Sequence, residues 1–115
     1  MPKQVDTIEE FRELVAGEEP VVIDFTATWC PPCRFIGPEF ARIAEENADS
    51  DVKFIKVDVD VNGEASKEAG ITCMPTFQVW ANGEKLEEFS GASKDKLEAL
   101  VAKYVKDGAA AAASA

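Results

Sequence analysis

Apolar residues along this chain recur with two different periods, one typical of helices and one typical of buried strands. The first stripe has the spacing of a helix face and consists of Ile8, Phe11, Leu14 and Val15. Thr7 and Glu10 form a capping-box pattern at its start, and Gly17 and Pro20 end it. The run Val21–Thr26 has apolar residues on both faces, which predicts a central strand of a sheet that is covered on both sides.

The middle of the chain continues this alternation. Residues 34–48 have a helical pattern, and Pro38 within them is expected to kink the helix because proline lacks an amide donor. Residues 52–59 predict a second strand, and residues 64–69 predict a short helix that ends at Gly70. Strand and helix therefore alternate through the first 70 residues.

The last third of the chain predicts a hairpin followed by a helix. Residues 76–81 and 84–90 predict strands, and Asn82-Gly83 between them is a strong hairpin signal. Ser93 then caps a helix whose apolar stripe consists of Leu97, Leu100, Val101, Tyr104 and Val105. With a short strand near residues 3–6, the order β-α-β-α-β-α-β-β-α predicts an α/β fold with a mixed central sheet and helices on both faces.

Length and composition allow one domain with a core of its own. The chain has 115 residues, of which 46% are hydrophobic. We place the domain at residues 1–107. The Ala-rich tail at residues 108–115 shows no packing pattern, and we expect it to be disordered or derived from cloning, although prolongation of the last helix stays open.

Charge and residue usage exclude several classes of site. Acidic residues number 22 and basic residues 12, and the net charge of −10 disfavours binding to a phosphate backbone, so no nucleic-acid partner is expected. The chain has no histidine, which excludes nucleophiles activated by histidine and metal sites built on it. The sequence also lacks a ligand cluster and a Gly-rich phosphate loop, so we expect no metal, nucleotide or flavin.

Cysteine usage and the start of the chain predict the compartment. Residues 1–6 lack the apolar stretch of a signal peptide, and no apolar run reaches membrane-spanning length. Three cysteines is a low, odd number that does not fit a secreted disulfide framework. We therefore expect a cytoplasmic protein that does not enter a membrane.

Cys30 and Cys33 form a Cys-x-x-Cys motif between a strand and a helix, an arrangement that points to thiol–disulfide chemistry. A helix that begins near Cys30 places this sulfur among unpaired amide donors, which lowers the pKa of a thiol below its usual value of about 8.5. Cys30 is then expected to be exposed and to attack, and Cys33, one turn into the helix, to be shielded and to resolve the mixed disulfide. A packing pair or half of a zinc site is the competing interpretation, but a four-cysteine site needs a second pair and only Cys73 remains.

Three segments of the chain resemble the thioredoxin family. The segment from Val22 to Cys33, which ends in Trp29-Cys30-Pro31-Pro32-Cys33, is similar to the active-site strand and loop of that family. Cys73-Met74-Pro75-Thr76-Phe77 is similar to its second active-site loop, and Phe89-Ser90-Gly91-Ala92 also matches. The likeness extends over about residues 3–106 and is greatest to animal-type cytosolic members. It implies the thioredoxin fold, in agreement with the pattern of strands and helices.

The resemblance implies roles for residues around the two cysteines. Asp24 is implied to be a buried acid beneath Cys33 that takes up its proton, with Lys56 as the charged neighbour of that acid. Pro75 is implied to follow a cis peptide bond and to sit against the cysteines, while the Met74 backbone pairs with an extended substrate segment. The implied docking rim consists of Trp29, Pro31, Ile71, Thr72, Met74, Gly91 and Ala92.

Simpler roles stay open for several of these residues. Asp24 is then a strand position that faces solvent, and Lys56 is a plain surface residue. Ile71 and Met74 are then ordinary core side chains. Without the resemblance, Pro75 is only a proline that opens a strand.

Two further expectations concern Cys73 and Trp29. Cys73 lies next to the docking loop and is either a passive thiol or a regulatory thiol that forms an intermolecular disulfide. Some animal members of the family carry a cysteine at the matching place. The resemblance also implies a hydrogen bond between Trp29 and Asp60.

The dipeptide Pro31-Pro32 departs from the Gly-Pro that is usual in the family. Proline at position 31 removes backbone freedom and one amide donor at the helix start. The lost donor weakens thiolate stabilisation, whereas the rigidity strains or favours the disulfide, so the sign of the effect on the reduction potential stays open. The same dipeptide occurs in tryparedoxin-like and nucleoredoxin-like relatives, which are mostly longer than this chain.

These observations imply an enzyme, a thioredoxin-type protein disulfide reductase with Cys30 as nucleophile and Cys33 as resolving thiol. Its expected partners are disulfide-containing protein substrates and a thioredoxin reductase that restores the dithiol. We expect a monomer, with an oxidation-induced homodimer through Cys73 as an option. The alternatives are a tryparedoxin-like or nucleoredoxin-like oxidoreductase, and a redox-dependent protein-binding module.

Overall fold

A computed structural model describes the backbone of residues 2–113 and the side chains of residues 2–105. The strands are β1 (Lys3–Gln4), β2 (Val21–Thr26), β3 (Lys53–Asp58), β4 (Thr76–Ala81) and β5 (Glu84–Ser90). The helices are α1 (Ile8–Val15), α2 (Pro31–Glu46), α3 (Gly63–Glu68) and α4 (Lys94–Ala113). This is the predicted order of elements. Within residues 2–113, no helix combines the length and the apolar character needed to cross a bilayer.

The five strands form one mixed sheet in the order β1-β3-β2-β4-β5, which confirms the predicted fold class. β3 runs parallel to β1 and β2, whereas β4 runs antiparallel to β2 and β5. Asn82 and Gly83 in the hairpin turn both have positive φ, at 55° and 76°. A two-residue turn between twisted strands requires this backbone conformation, which explains the Asn-Gly pair.

Alternation along β2 divides the hydrophobic core into two halves, one on each face of the sheet. Phe25 faces α1 and α3, and its ring packs edge-on against Phe11 with centroids 6.3 Å apart. Val22 faces the opposite side and packs in a second cluster with Phe40 of α2 and Leu97 of α4. Helices therefore cover both faces of the sheet, as predicted. Burying each of these side chains stabilises the fold by about 1.5–3 kcal/mol.

Helix α2 begins three residues earlier than the sequence pattern predicts. Pro31 and Pro32 occupy its first two positions, where an amide would have no partner within the helix in any case. Cys30 is the capping residue, with extended backbone at φ −95° and ψ 110°. The helix continues through Pro38 to Glu46, so this proline does not end it.

Helix α4 continues beyond its apolar stripe, which ends at Val105. Its backbone is helical from Lys94 to Ala113, so the Ala-rich segment prolongs the helix as far as the structure describes it. The expectation that residues 108–115 are disordered or derived from cloning stays a prediction. Ser114 and Ala115 lie outside the described residues, and the domain boundary at residue 107 stays a prediction.

Candidate active site

The antiparallel pairing of β2 with β4 places the Cys-x-x-Cys segment beside the loop that precedes β4. Phe25 near the end of β2 pairs with Thr76 at the start of β4, and Thr76 pairs with Ser90 at the end of β5. Three loops therefore meet at one end of the sheet. They comprise residues 27–30, 71–75 and 91–93.

A disulfide at the start of α2 forms the centre of this site. It joins Cys30 to Cys33, whose Cα atoms are 5.2 Å apart. Cys30 caps the helix, and its Sγ accepts a hydrogen bond from the Cys33 amide at 3.3 Å. Because Pro31 and Pro32 have no amide donors, the Cys33 amide is the first in the helix that can stabilise negative charge on Cys30. Proline at position 31 leaves this contact in place.

Cys30 is buried, so the prediction that it is exposed is wrong. Only 4% of Cys30 and 3% of Cys33 is exposed. Both pack with Ala27, and the partly buried side chains of Val59 and Met74 lie against this cluster. Sequence reasoning placed Cys30 at the helix start, but no local pattern shows which distant side chains lie against it there. As the helix cap, its side chain turns back over the first turn, where side chains from other loops cover it.

The loop before β4 lies directly against the disulfide. The Met74 carbonyl oxygen is 3.9 Å from Cys30 Sγ, and the Met74–Pro75 peptide bond is cis, as the resemblance implies. The Gly91 amide donates a hydrogen bond to the Pro75 carbonyl at 2.9 Å, which joins the second loop to the third. Gly91 has a φ of 102°, which favours glycine at this junction.

Thr76 also joins these loops, a role that sequence reasoning missed. Its hydroxyl donates to the Cys73 carbonyl at 2.7 Å and lies 3.1 Å from the Ser90 hydroxyl. Thr76 is buried, with 2% exposed. A threonine that opens a strand is common because β-branched residues suit strands, so the sequence carries no signal for this contact.

The other predicted rim residues differ in exposure. Trp29 is 60% exposed, and its Nε1 donates to the Asp60 carboxylate at 2.7 Å, as the resemblance implies. Thr72 is exposed. Ile71 is half-buried against the core beside α1 and α3, and Ala92 is half-buried against the core on the other face. Ile71 and Ala92 therefore contribute to the core as well as to this end of the sheet.

Asp58 orients the partner of Trp29, and sequence reasoning missed this residue too. It is buried at the end of β3, and its Oδ1 accepts a hydrogen bond from the Asp60 amide at 2.8 Å. This is the local turn that aspartate favours directly after a strand. The sequence signal for this role was an aspartate at the end of a predicted strand, two residues before Asp60.

Asp24 is buried, which excludes the solvent-facing interpretation. It is 3% exposed and lies beside Lys56 in the register of β2 and β3. Among the described residues, its Oδ1 has no hydrogen-bond partner. Burial raises the pKa of Asp24 to about 7, and the positive charge of half-buried Lys56 limits that rise. Asp24 can therefore both release and accept a proton near neutral pH.

A cavity of about 300 Å³ connects Asp24 with Cys33, and both residues line it together with Lys56 and Asp58. A water molecule takes up about 30 Å³ in the liquid, so the cavity has room for several waters. Its polar lining offers the partners that such waters need. The geometry allows a proton to pass between Cys33 and Asp24 through water.

Cys73 is exposed and forms no disulfide. Its Sγ lies 3.9 Å from Thr76 Oγ1. Hydrogen bonds to Ser90 and Thr76 lower the pKa of Cys73. A larger fraction of this thiol is therefore thiolate than for an ordinary cysteine at the same pH.

Comparisons of the sequence and of the structure point to one family. The family model described as Thioredoxin matches residues 3–103. The thioredoxin of Callithrix jacchus is 46% identical over 107 residues, which are 91% of this chain and 100% of the relative. Thioredoxin-1 of Schizosaccharomyces pombe is 48% identical over 88% of this chain and 96% of its own. The crystal structure of Malassezia sympodialis thioredoxin matches with a TM-score of 0.87 at 39% identity, over 91% of each chain.

Proposed function

Since this chain belongs to the thioredoxin family and is a thiol–disulfide oxidoreductase, we propose that it reduces protein disulfides with Cys30 as the attacking thiol and Cys33 as the resolving thiol. The observation that carries this assignment is the position of Cys30 at the cap of α2, where its sulfur accepts the Cys33 amide. The capping sulfur meets both that amide and the positive end of the helix dipole. Its thiolate is therefore the more stable of the two.

The proposed reaction transfers two electrons to the substrate in two exchange steps. The Cys30 thiolate attacks one sulfur of the substrate disulfide, that bond breaks, and the second substrate sulfur leaves as a thiolate that takes up a proton. A mixed disulfide now joins Cys30 to the substrate. Cys33 then attacks Cys30 and releases the first substrate sulfur. The product is the Cys30–Cys33 disulfide.

Asp24 is the proposed proton acceptor for Cys33 in the second step. Cys33 must lose a proton before it attacks, and a base with a pKa of about 7 accepts that proton near neutral pH. The shared cavity supports a route through water. Lys56 is proposed to steady the ionised form of Asp24, because the two residues are neighbours on adjacent strands.

Substrate recognition is proposed to take place on the loops around the disulfide. An extended substrate segment pairs with the Met74 backbone, whose carbonyl lies 3.9 Å from Cys30 Sγ. Pro75 has no amide donor to compete for that segment. The surrounding contacts come from Trp29, Pro31, Ile71, Thr72, Gly91 and Ala92.

Family membership implies disulfide-containing protein substrates and a thioredoxin reductase as partners. We propose a monomer that forms a homodimer through exposed Cys73 on oxidation, because a thiol with a lowered pKa reacts more readily. We also propose that the protein works in the cytoplasm, where reducing conditions keep the dithiol available.

Trapping of the mixed disulfide tests the assignment of the two cysteines. With Cys33→Ser, the reduced protein is expected to accumulate covalent adducts with a disulfide substrate, seen by mass spectrometry and removed by dithiothreitol. Cys30→Ser is the matched control and should accumulate none at this site. If adducts instead form on Cys33 of the Cys30→Ser protein and none form on Cys30 of the Cys33→Ser protein, then Cys33 is the attacking thiol and Cys30 the resolving thiol.

A coupled assay tests the partner. Thioredoxin reductase with NADPH is expected to sustain reduction of insulin by the wild-type protein, whereas glutathione or trypanothione alone should sustain much less. Faster turnover with trypanothione would instead favour the tryparedoxin-like alternative. A protein that binds partners but reduces no insulin under any donor would be a binding module.

A further inference from the structure

Phe35 is the most exposed large apolar side chain among the described residues, at 69%. Single exposed apolar residues are common and need no explanation. Of the four large apolar side chains that are exposed within residues 2–105, however, three lie close in sequence to the disulfide or to a residue that contacts its loop. They are Trp29 before Cys30, Phe35 after Cys33, and Val61 next to the Asp60 partner of Trp29.

Helix geometry places Phe35 beside two exposed prolines. Pro31 and Pro32 precede it by four and three residues, and residues at these separations are neighbours on a helix surface. Side chains on a helix lean toward its N-terminus, so the Phe35 ring leans toward this first turn. Pro31, Pro32 and Phe35 together form a surface that we call the α2 ridge, which begins at the residue that follows Cys30.

The α2 ridge lies on the flank of α2 that faces the start of α4. Glu39, one turn beyond Phe35, forms an ion pair with Lys94 at 3.7 Å. The next face of the helix carries Arg34 and Pro38, which line the cavity shared by Asp24 and Cys33. Pro31, Pro32 and Phe35 themselves do not line that cavity, so the ridge is distinct from the proposed proton route.

The ridge offers contact area but no hydrogen-bond donors from its prolines. Pro31 and Pro32 have no amide hydrogen, so these two exposed positions after Cys30 cannot donate a backbone hydrogen bond to a polar or anionic group. The prolines of the ridge can therefore contact a neighbouring chain mainly through their apolar side chains. A substrate joined to Cys30 by a mixed disulfide lies next to the first turn of α2, because Cys30 directly precedes Pro31.

We propose that the α2 ridge determines substrate specificity by binding an aromatic or aliphatic side chain next to the substrate cysteine. This inference rests on the proposed exchange through Cys30 and adds a substrate class to it. The occupant is the disulfide-bearing segment of the substrate protein, because the covalent bond to Cys30 holds that segment next to Pro31, where the ridge begins. Phe35 is the largest side chain of the ridge and is 69% exposed.

A single-turnover competition tests the specificity without a reductase. Reduced protein is mixed with two disulfide-linked peptides that differ only in a Phe or a Ser beside the cysteine, the reaction is quenched with acid, and released thiols are quantified by mass spectrometry. The wild type is expected to prefer the Phe peptide, and Phe35→Ser should reduce the ratio of the two rate constants by about five- to tenfold. Phe35→Leu should keep most of the preference because it keeps an apolar side chain. Leu86→Ser on β5 is the matched control, since Leu86 is also exposed, at 43%, but lies on the edge strand.

The outcomes separate this inference from the proposed function. If the wild type exchanges with neither peptide, the proposed function fails. If it exchanges with both and the ratio is the same for wild type and Phe35→Ser, the ridge does not determine specificity. Size-exclusion chromatography tests whether a second copy of the chain occupies the ridge instead. If the wild type is a dimer that Phe35→Ser disrupts, and the peptide ratio does not change, the ridge is a dimer interface and the inference is overturned.

Discussion

Replacing Asp24 with Asn is expected to make the protein more stable at high pH and to change stability little at low pH. Burial raises the pKa of Asp24 from 3.8 to about 7. At about 1.36 kcal/mol for each pKa unit, the ionised side chain costs the folded state about 4 kcal/mol. Because the pKa is higher in the folded state, the unfolded chain loses this proton first as the pH rises. The free energy of unfolding of the wild type therefore falls between about pH 4 and pH 7 and then levels off with respect to this group.

Urea unfolding of the oxidised proteins, followed by circular dichroism, measures this effect. The free energy of unfolding is compared between wild type and Asp24→Asn at pH 4 and pH 8.5. The advantage of the variant should be larger at pH 8.5 by about 4 kcal/mol. Any cost of burying the amide is the same at both pH values, so it cancels in this difference. Asp51→Asn is the matched control, because Asp51 is exposed and should show no comparable difference.

One result would refute this reasoning. If Asp24→Asn changes the free energy of unfolding by the same amount at pH 4 and at pH 8.5, then burial does not hold the Asp24 carboxyl in its neutral form. The proposed role of Asp24 as a proton acceptor near neutral pH would lose its basis at the same time.

Three further variants test contacts of the site. Lys56→Met should raise the pKa of Asp24 above about 7, because the positive charge of Lys56 lowers that pKa in the wild type. An NMR titration of the Asp24 carboxyl carbon measures this pKa, and an unchanged value in the variant would contradict the prediction. Thr76→Val should lower the free energy of unfolding by about 1 kcal/mol and slow insulin reduction, because it removes the hydrogen bond to the Cys73 carbonyl, whereas Thr76→Ser should keep both; urea unfolding and the insulin assay measure them. Cys73→Ser should abolish an oxidant-induced dimer on non-reducing electrophoresis, and a persisting dimer band would show that Cys73 does not form it.

Local sequence patterns predicted most of the fold because they express strong, short-range preferences. The run Val21–Thr26 is apolar on both faces and lies at the centre of the covered sheet. Asn82-Gly83 tolerates positive φ and forms the hairpin turn. The start of α2 was placed too late because apolar periodicity detects only the turns that face the core. The first turn of α2 is instead set by Cys30 and two exposed prolines.

The sequence identified candidate site residues by their chemistry, but it did not show which side chains contact them. Cys30, Cys33 and Asp24 stand out because thiols at this spacing and a carboxylate within an apolar strand are unusual. The burial of Cys30 depends on Met74, which is 44 residues away in the chain, and no local pattern reports such a distance. The contact of Thr76 with Ser90 escaped prediction for the same reason, because two common hydroxyl residues become partners only through strand pairing.

The antiparallel pairing of β2 with β4 has a consequence for synthesis of the chain on the ribosome. Cys30 and Cys33 are translated well before Thr76, whose strand supplies the neighbouring loop. A nascent chain that ends before β4 thus carries the reactive pair without the loop that covers it in the finished fold. During that interval the two thiols are open to any oxidant or foreign disulfide nearby. The loop covers the pair only when the last hairpin joins the sheet.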